Sequence, residues 1–412
     1  MSIWKKLKSE DIKKVVFGAL NKNANYYNES ILGVPASHLD DKVFYQDNPF
    51  LEHAPFLSTL IHNPNHIGFH TEGVSESFFE GTHEIEKELI RICAEDILLG
   101  AEDAHDGYVA AGGTEANMQA IWVYRNYFMQ EHNAQLNEIC IICSEDSHYS
   151  MSKSSNVFQI PIRFVKVNNE DRSLSKESIK TVLNEAKQAG VKHFIVVANM
   201  MTTMFGSVDN VDDYTDALQT IKASFKLHID AAFGGFFYPF AEEETNLNFS
   251  NPFISSLTLD AHKMLQAPYG TGLFLIRKGY MKYAMTKEAS YVKGEDCTLI
   301  GSRSGANAIA VWMILMTYGP FGWREKVLIL LNRTDKLCAF LDKLKVDYFR
   351  QKGSNIITIK SSNVSEEIAL KYSLVPDIHK NPNWYKIVLM DHVTIEKLLP
   401  FMEELKVFIS SK

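Results

Sequence analysis

Between about residues 105 and 280, short apolar runs of strand length alternate with stretches of helical period, joined by glycine-bearing or polar turns. Strand, helix and strand in succession make a parallel pair, so a chain of such units predicts one mostly parallel sheet with helices on both faces. Ligands in such sheets sit beyond the carboxyl ends of the strands. The residues to weigh are therefore those that follow the apolar runs.

Two runs end on chemistry. Phe225-Lys226-Leu227-His228-Ile229 alternates like a strand and reaches Asp230, after which Ala231, Ala232, Gly234 and Gly235 leave room for a flat ring against the backbone. Ser255-Ser256-Leu257-Thr258-Leu259-Asp260-Ala261-His262 reads as a strand ending on Lys263, and the turn Tyr269-Gly270-Thr271-Gly272 leads into a second apolar strand, Leu273 to Ile276. An amine held at such a strand end is expected to be poorly solvated, which makes Lys263 a nucleophile toward a carbonyl. Pyridoxal phosphate needs this pair of residues. A lysine forms a Schiff base with its aldehyde, while an aspartate keeps the pyridine nitrogen protonated so that the ring accepts electrons.

Upstream, Tyr108 to Ala111 runs through Gly112-Gly113-Thr114-Glu115-Ala116-Asn117 into a helix, Met118 to Phe128. Free amides at a helix start attract an anion, and glycines let a phosphate come close, although any strand-to-helix turn can have this look. The turn lacks the lysine of a nucleotide P-loop. His148 lies just past the strand Ile139 to Cys143, where an imidazole can stack on a pyridine ring. Thr202 and Thr203 follow the strand His193 to Asn199; their hydroxyls suit either a ring oxygen or phosphate, or a turn cap.

Composition excludes several classes. The formal charge of −8 leaves no basic footprint for nucleic acid or anionic membranes, and no apolar run has transmembrane length. Met1 to Leu20 mixes lysines and acids into its apolar residues instead of forming a signal peptide, so a cytoplasmic protein is expected. Five cysteines make no disulfide framework, and Cys140-Ile141-Ile142-Cys143, despite its redox spacing, reads as a structural strand. His62, His66 and His70 have helical spacing, but Pro64 and Gly68 interrupt it, so no metal site is expected. A first helix is predicted from about Ile3 to Leu20, and Thr82 looks like the N-cap of a helix carrying Ile85, Leu89, Ile92 and Ile97. The division predicted is an N-terminal arm over 1–65, a large cofactor-binding domain over 66–300, and a small C-terminal α+β domain over 301–412.

With these stretches in place, the chain resembles the group II amino-acid decarboxylases of the fold type I pyridoxal-phosphate enzymes, from about residue 105 to the C-terminus. It is most similar in look to short bacterial histidine decarboxylases and plant serine decarboxylases. The resemblance rests on Gly112 to Asn117, Asp146-Ser147-His148-Tyr149-Ser150, Thr202-Thr203, His228 to Ala232, His262-Lys263-Met264 and Gly301-Ser302-Arg303-Ser304-Gly305. It implies an α/β fold, with a large domain built on a mostly parallel seven-stranded sheet and a small C-terminal domain. It also implies a homodimer with the active site at the subunit interface, and decarboxylation of an L-amino acid. By the same resemblance Lys263 carries the cofactor, Asp230 partners the pyridine nitrogen, and His148 stacks on the ring opposite Ala232. Gly113, Thr114 and His262 hold the phosphate, joined by Asn117 and Thr202 in the cofactor site, with Ser302 and Arg303 close by. Met201 stands where the family usually has glycine. Lys263 or Tyr291 would return a proton to Cα. No arginine follows Arg350 to anchor a substrate carboxylate as aminotransferases do, which favours its expulsion. A carbon–carbon lyase acting on a phosphorylated amine, suggested by the Gly301 to Gly305 motif, and a non-catalytic homologue are the rival readings.

Overall fold

The computed structural model describes residues 3–22, 65–67, 80–286 and 295–412. Helix α1 (Ser9–Leu20), strand β1 (Asn65–Ile67) and helix α2 (Glu80–Arg91) precede β2 (His105–Ala110). The predicted alternation follows: α3 (Gly113–His132), β3 (Ile139–Ser144), α4 (Ser150–Phe158), β4 (Ile162–Val165), α5 (Lys176–Gln188), β5 (His193–Asn199), α6 (Val211–Thr220), β6 (Ser224–Ala231), a short α7 (Tyr238–Ala241), β7 (Ile254–Asp260) and β8 (Gly272–Arg277). Strand β9 (Ser302–Ser304) leads into the long α8 (Gly305–Lys343). The chain then runs through β10 (Tyr348–Phe349), β11 (Ile356–Lys360), α9 (Glu366–Lys371), β12 (Val375–Pro376), β13 (Trp384–Val388) and α10 (Ile395–Ser410).

The large sheet has seven strands in the order β2-β8-β7-β6-β5-β3-β4. All run parallel except β8, which is antiparallel to both its neighbours. Strands β3, β5 and β7 are buried along their whole length, as strands covered on both faces must be. Alternate residues therefore feed two cores. Ile141, Cys143, Ile195 and Val197 pack under α3 and α4, while Cys140, Ile142, Val196 and Ala198 face α5, α6 and the first half of α8. Cys140 and Cys143 thus point to opposite sides, and burial pushes the Cys140 thiol up to about 12. A four-stranded antiparallel sheet, β10-β11-β13-β12, forms a separate core with the end of α8 and with α10 through Leu337, Leu341, Phe401 and Leu405.

Three local readings are corrected. Residues 3–8 are not helical: Trp4 instead buries its ring and donates its indole N–H to the Leu315 carbonyl at 3.2 Å. Helix α2 is already formed at Glu80, so Thr82 is a buried helix residue instead of an N-cap. Of the spaced histidines, His62 and His70 lie outside the described residues, and the backbone of His66 pairs with that of Arg303. Among the described residues no helix is long and apolar enough to cross a membrane.

Candidate active site

Strands β6 and β7 lie side by side in parallel, with Asp230 opposite Thr258, so their carboxyl ends open at the same edge of the sheet. Lys263 is not on the strand. β7 stops at Asp260: the Ala261 amide still bonds in register to the Thr271 carbonyl, but the Lys263 amide then turns back onto the Asp260 carbonyl at 3.2 Å, and Lys263 sits three residues past the strand end. Its side chain is 32% exposed and its amine pairs with Asp260 Oδ2 at 3.1 Å, so the amine is better solvated than the sequence reading expects. Burial raises Asp260 above the ordinary carboxyl range, with the Lys263 charge opposing.

Asp230 is held by two hydrogen bonds, one to each oxygen. Its Oδ1 accepts the Ala232 N–H at 3.1 Å and its Oδ2 accepts Asn117 Nδ2 at 2.8 Å. The same amide group lies 3.1 Å from Ser150 Oγ, and His148 Nδ1 is 2.9 Å from that hydroxyl. Asn117 is itself oriented: its Oδ1 lies 2.9 Å from Nε2 of the fully buried His228, whose Nδ1 is 2.7 Å from Ser256 Oγ. His228 is pushed down to about 4 by burial, so it is neutral at physiological pH; because Asn117 gives its NH2 group to Asp230, its Oδ1 is left to accept the His228 Nε2–H. Sequence reasoning assigned His228, Ser150 and Asp260 no role. The signal for His228 was its spacing, since residues 228 and 230 share one face of a strand.

Gly113, Thr114, Asn117, His148, Ala232, His262 and Lys263 line one cavity of about 550 Å³. Its floor is the first turn of the 20-residue helix α3. A side chain at Gly113 would run into Asp260 Oδ2 at 2.8 Å and the Ala232 methyl at 2.9 Å, so only glycine leaves the free amides of this turn open to an anion. His262 Nδ1 is buried beside it without a hydrogen-bond partner. Burial holds His148 below the ordinary imidazole value, and Asp230 opposes this while Lys263 reinforces it. A cradle for an anion, an orphaned ring nitrogen, a carboxylate clamped by Asn117 and a reachable amine together fit pyridoxal phosphate.

Other residues singled out from sequence are not brought into the cavity. The Thr202 hydroxyl is engaged with Ser207, 2.7 Å from its Oγ, as a turn cap would be. Ser302 is exposed on β9, opposite Ile67. Arg303 is buried against Glu86 and donates to the Val109 carbonyl at 3.3 Å, which ties β9 to α2 and β2. Tyr291 lies outside the described residues. Met201 keeps the backbone that a glycine would adopt, with φ 69°, and buries its side chain in the core. Arg350 pairs with Asp335 of α8 and donates to the Ser354 carbonyl at 2.9 Å, so it is spent on neighbours in the C-terminal region.

A lysine beyond one parallel strand and a clamped aspartate on its neighbour, facing a glycine-opened helix start, define a pyridoxal-phosphate enzyme of fold type I. The pyridoxal-dependent decarboxylase conserved domain matches residues 81–347, and the chain belongs to that family: it is a pyridoxal-phosphate-dependent amino-acid decarboxylase. The chain is 48% identical over 410 residues to a tryptophan decarboxylase of Clostridium sporogenes, covering 99% of this chain and 98% of the relative. The likeness therefore includes the N-terminal region, beyond the stretch from residue 105 in which it was read from motifs. Among solved structures, L-methionine decarboxylase of Streptomyces sp. 590 superposes with a TM-score of 0.70 at 18% identity, covering 84% of this chain and 87% of that one. The sphingosine-1-phosphate lyase of Burkholderia pseudomallei superposes with a TM-score of 0.69 at 15% identity, covering 80% and 77%; this is a likeness of fold.

Proposed function

We propose that the substrate is an aromatic L-amino acid, tryptophan first, and that Lys263, Asp230 and His148 do the work around its Cα. The identity to the tryptophan decarboxylase along nearly the whole chain carries this reading. The apolar wall that Met118, Leu299 and Ile300 give the cavity supports it, because a flat apolar side chain lies well against such a wall. In this reading Gly113, Thr114 and His262 hold the phosphate, and His148 and Ala232 flank the ring. Pyridoxal phosphate supplies an electron sink for the pair left when the bond from Cα to the carboxylate breaks. Asp230, held by Asn117 and the Ala232 amide, keeps a proton on the ring nitrogen and so keeps that sink open. Lys263, whose amine rests 3.1 Å from Asp260 Oδ2, would hold the cofactor and would return the replacing proton to Cα. Carbon dioxide leaves and an arylalkylamine remains. With Arg350 occupied elsewhere, no arginine of the described small sheet holds the carboxylate back.

The same proposal takes the enzyme as a cytoplasmic homodimer whose site is completed by the second subunit. The rim of the cavity supports the dimer: Tyr149 and Ile300 line it at 64% and 46% exposed, and Tyr269, 88% exposed, stacks on His262. Large apolar residues clustered this way mark a surface that another chain covers. The test is a screen of the amino acids with the purified holoenzyme, reading carbon dioxide release and product mass. Tryptamine from tryptophan is the expected result. Aldehyde without carbon dioxide would sustain the lyase reading, and release from acidic or small amino acids alone would overturn the aromatic one.

A further inference from the structure

The loop that carries His148, between β3 and α4, is anchored from outside the cavity. Asp146, two residues before His148, takes a two-pronged bond from Arg172: Nε donates to Oδ2 at 2.8 Å and the terminal NH2 group to Oδ1. Both side chains are buried, at 9% and 10% exposed. The guanidinium lies 4.0 Å over the ring of Phe205, in the turn that follows β5. That ring in turn meets Phe349 of β10 and Trp384 of β13 edge-on, at 6.2 and 5.9 Å. Lys386, on the same face of β13 as Trp384, donates to the Thr203 carbonyl at 2.9 Å. The small sheet therefore reaches the His148 loop through one stack, from Trp384 through Phe205 and Arg172 to Asp146.

A lone surface ion pair would contribute little here. A buried fork that also lies flat on an aromatic ring fixes orientation as well as distance, and lysine supplies neither the fork nor the flat face. None of Asp146, Arg172 and Phe205 lines the cavity, so none of them meets the reacting atoms.

We propose that Arg172 is a positioning residue: it passes the seating of the small sheet, received through Phe205, to Asp146, and so sets the tilt of His148 in the active site. This rests on the reading of His148 as the residue that stacks on the cofactor ring. Seating of the small sheet and orientation of the imidazole are then one event, and a substrate that draws the two sheets together aligns the site as it binds.

The test uses holoenzyme and reads the visible circular dichroism of the bound cofactor, which reports the asymmetry around its ring, together with kcat, KM and unfolding temperature. Arg172→Lys and Phe205→Leu are each expected to reduce the visible signal per bound cofactor by about half and kcat about tenfold, with KM within about threefold. The double variant Asp146→Asn with Arg172→Lys should fall no further than Arg172→Lys alone, because both remove the same link. Wild-type dichroism and kcat in both single variants, or a lowered unfolding temperature as the only change, would overturn the proposal. His148→Ala separates the two readings. A changed signal there with none in Arg172→Lys sinks the positioning role alone, whereas an unchanged signal sinks the stacking role and this proposal with it.

Discussion

His228 does not line the cavity, yet it completes the hold on the Asn117 amide. Asn117 gives its NH2 group to Asp230, so its oxygen faces Nε2 of the neutral imidazole, which must carry the proton there. Asp230 and Lys263 were legible because their residue types, at the ends of apolar runs, suit one cofactor. The amide between Asp230 and His148 was legible only through the family likeness, since nothing local marks Asn117 among the residues of α3. Met201 shows the converse. A left-handed backbone costs a residue with a side chain about 1–2 kcal/mol, whereas emptying a buried methionine site costs about 2–5 kcal/mol. The burial wins. Met201→Gly is therefore expected to destabilise the protein by about 1–3 kcal/mol despite relieving strain, and urea unfolding measures it. A higher urea midpoint would show that strain, not packing, dominates at this position.

At the scale of elements, the long helix α8 is broken near Gly319. Gly319 adopts φ 62° there, followed by Pro320. The break is held by the N-terminal segment: a Cβ on Gly319 would lie 2.7 Å from Lys6 Cβ and 3.1 Å from the Lys6 backbone, and the Leu7 amide donates to the Met316 carbonyl at 3.0 Å. Gly319→Ala is expected to cost about 1–3 kcal/mol, because a backbone at φ 62° and ψ 177° is open essentially to glycine alone, and to loosen residues 3–8. Faster amide exchange there than in wild type would bear this out, and unchanged exchange would refute the coupling. Helix and strand types were readable because periods of 3.6 and 2 residues differ plainly over such lengths. Their ends were less so. The run to Lys263 reads as strand, but the Lys263 amide bonds back to the Asp260 carbonyl and the Ala267 amide to the Ala261 carbonyl, which turns the chain.

Across the whole molecule, buried titratable groups set opposing slopes of stability with pH. His105 and His228 are held neutral by burial, down to about 4 from an ordinary 6.5. Their contribution is present in full above pH 6.5 and is lost as pH falls toward 4, when protons bind the unfolded chain first. Asp209, which accepts the Asn199 backbone and side-chain N–H groups at 2.8 Å, is raised by burial to about 7. Its contribution is full below pH 3.8 and fades as pH rises to about 7. Urea midpoints across pH 4 to 7 should therefore fall more gently toward acid in His228→Gln than in wild type. In Asp209→Asn the midpoint should hold up better toward neutral pH. A variant curve parallel to wild type would deny that group its part.

The order of apolar runs, the residue types at their ends and the glycine turn at residue 112 determined, by themselves, a mostly parallel sheet and a pyridoxal-phosphate chemistry. Backbone periodicity and the needs of one reaction are local properties, and sequence carries them directly. The tertiary structure alone decided that β8 runs against its neighbours, that Lys263 rests on Asp260, that Arg303 is spent on Glu86 and that Arg172 joins two sheets. Each of these is a choice among partners distant along the chain. Which charge meets which, and which hydroxyl is already taken, follows from how the layers pack.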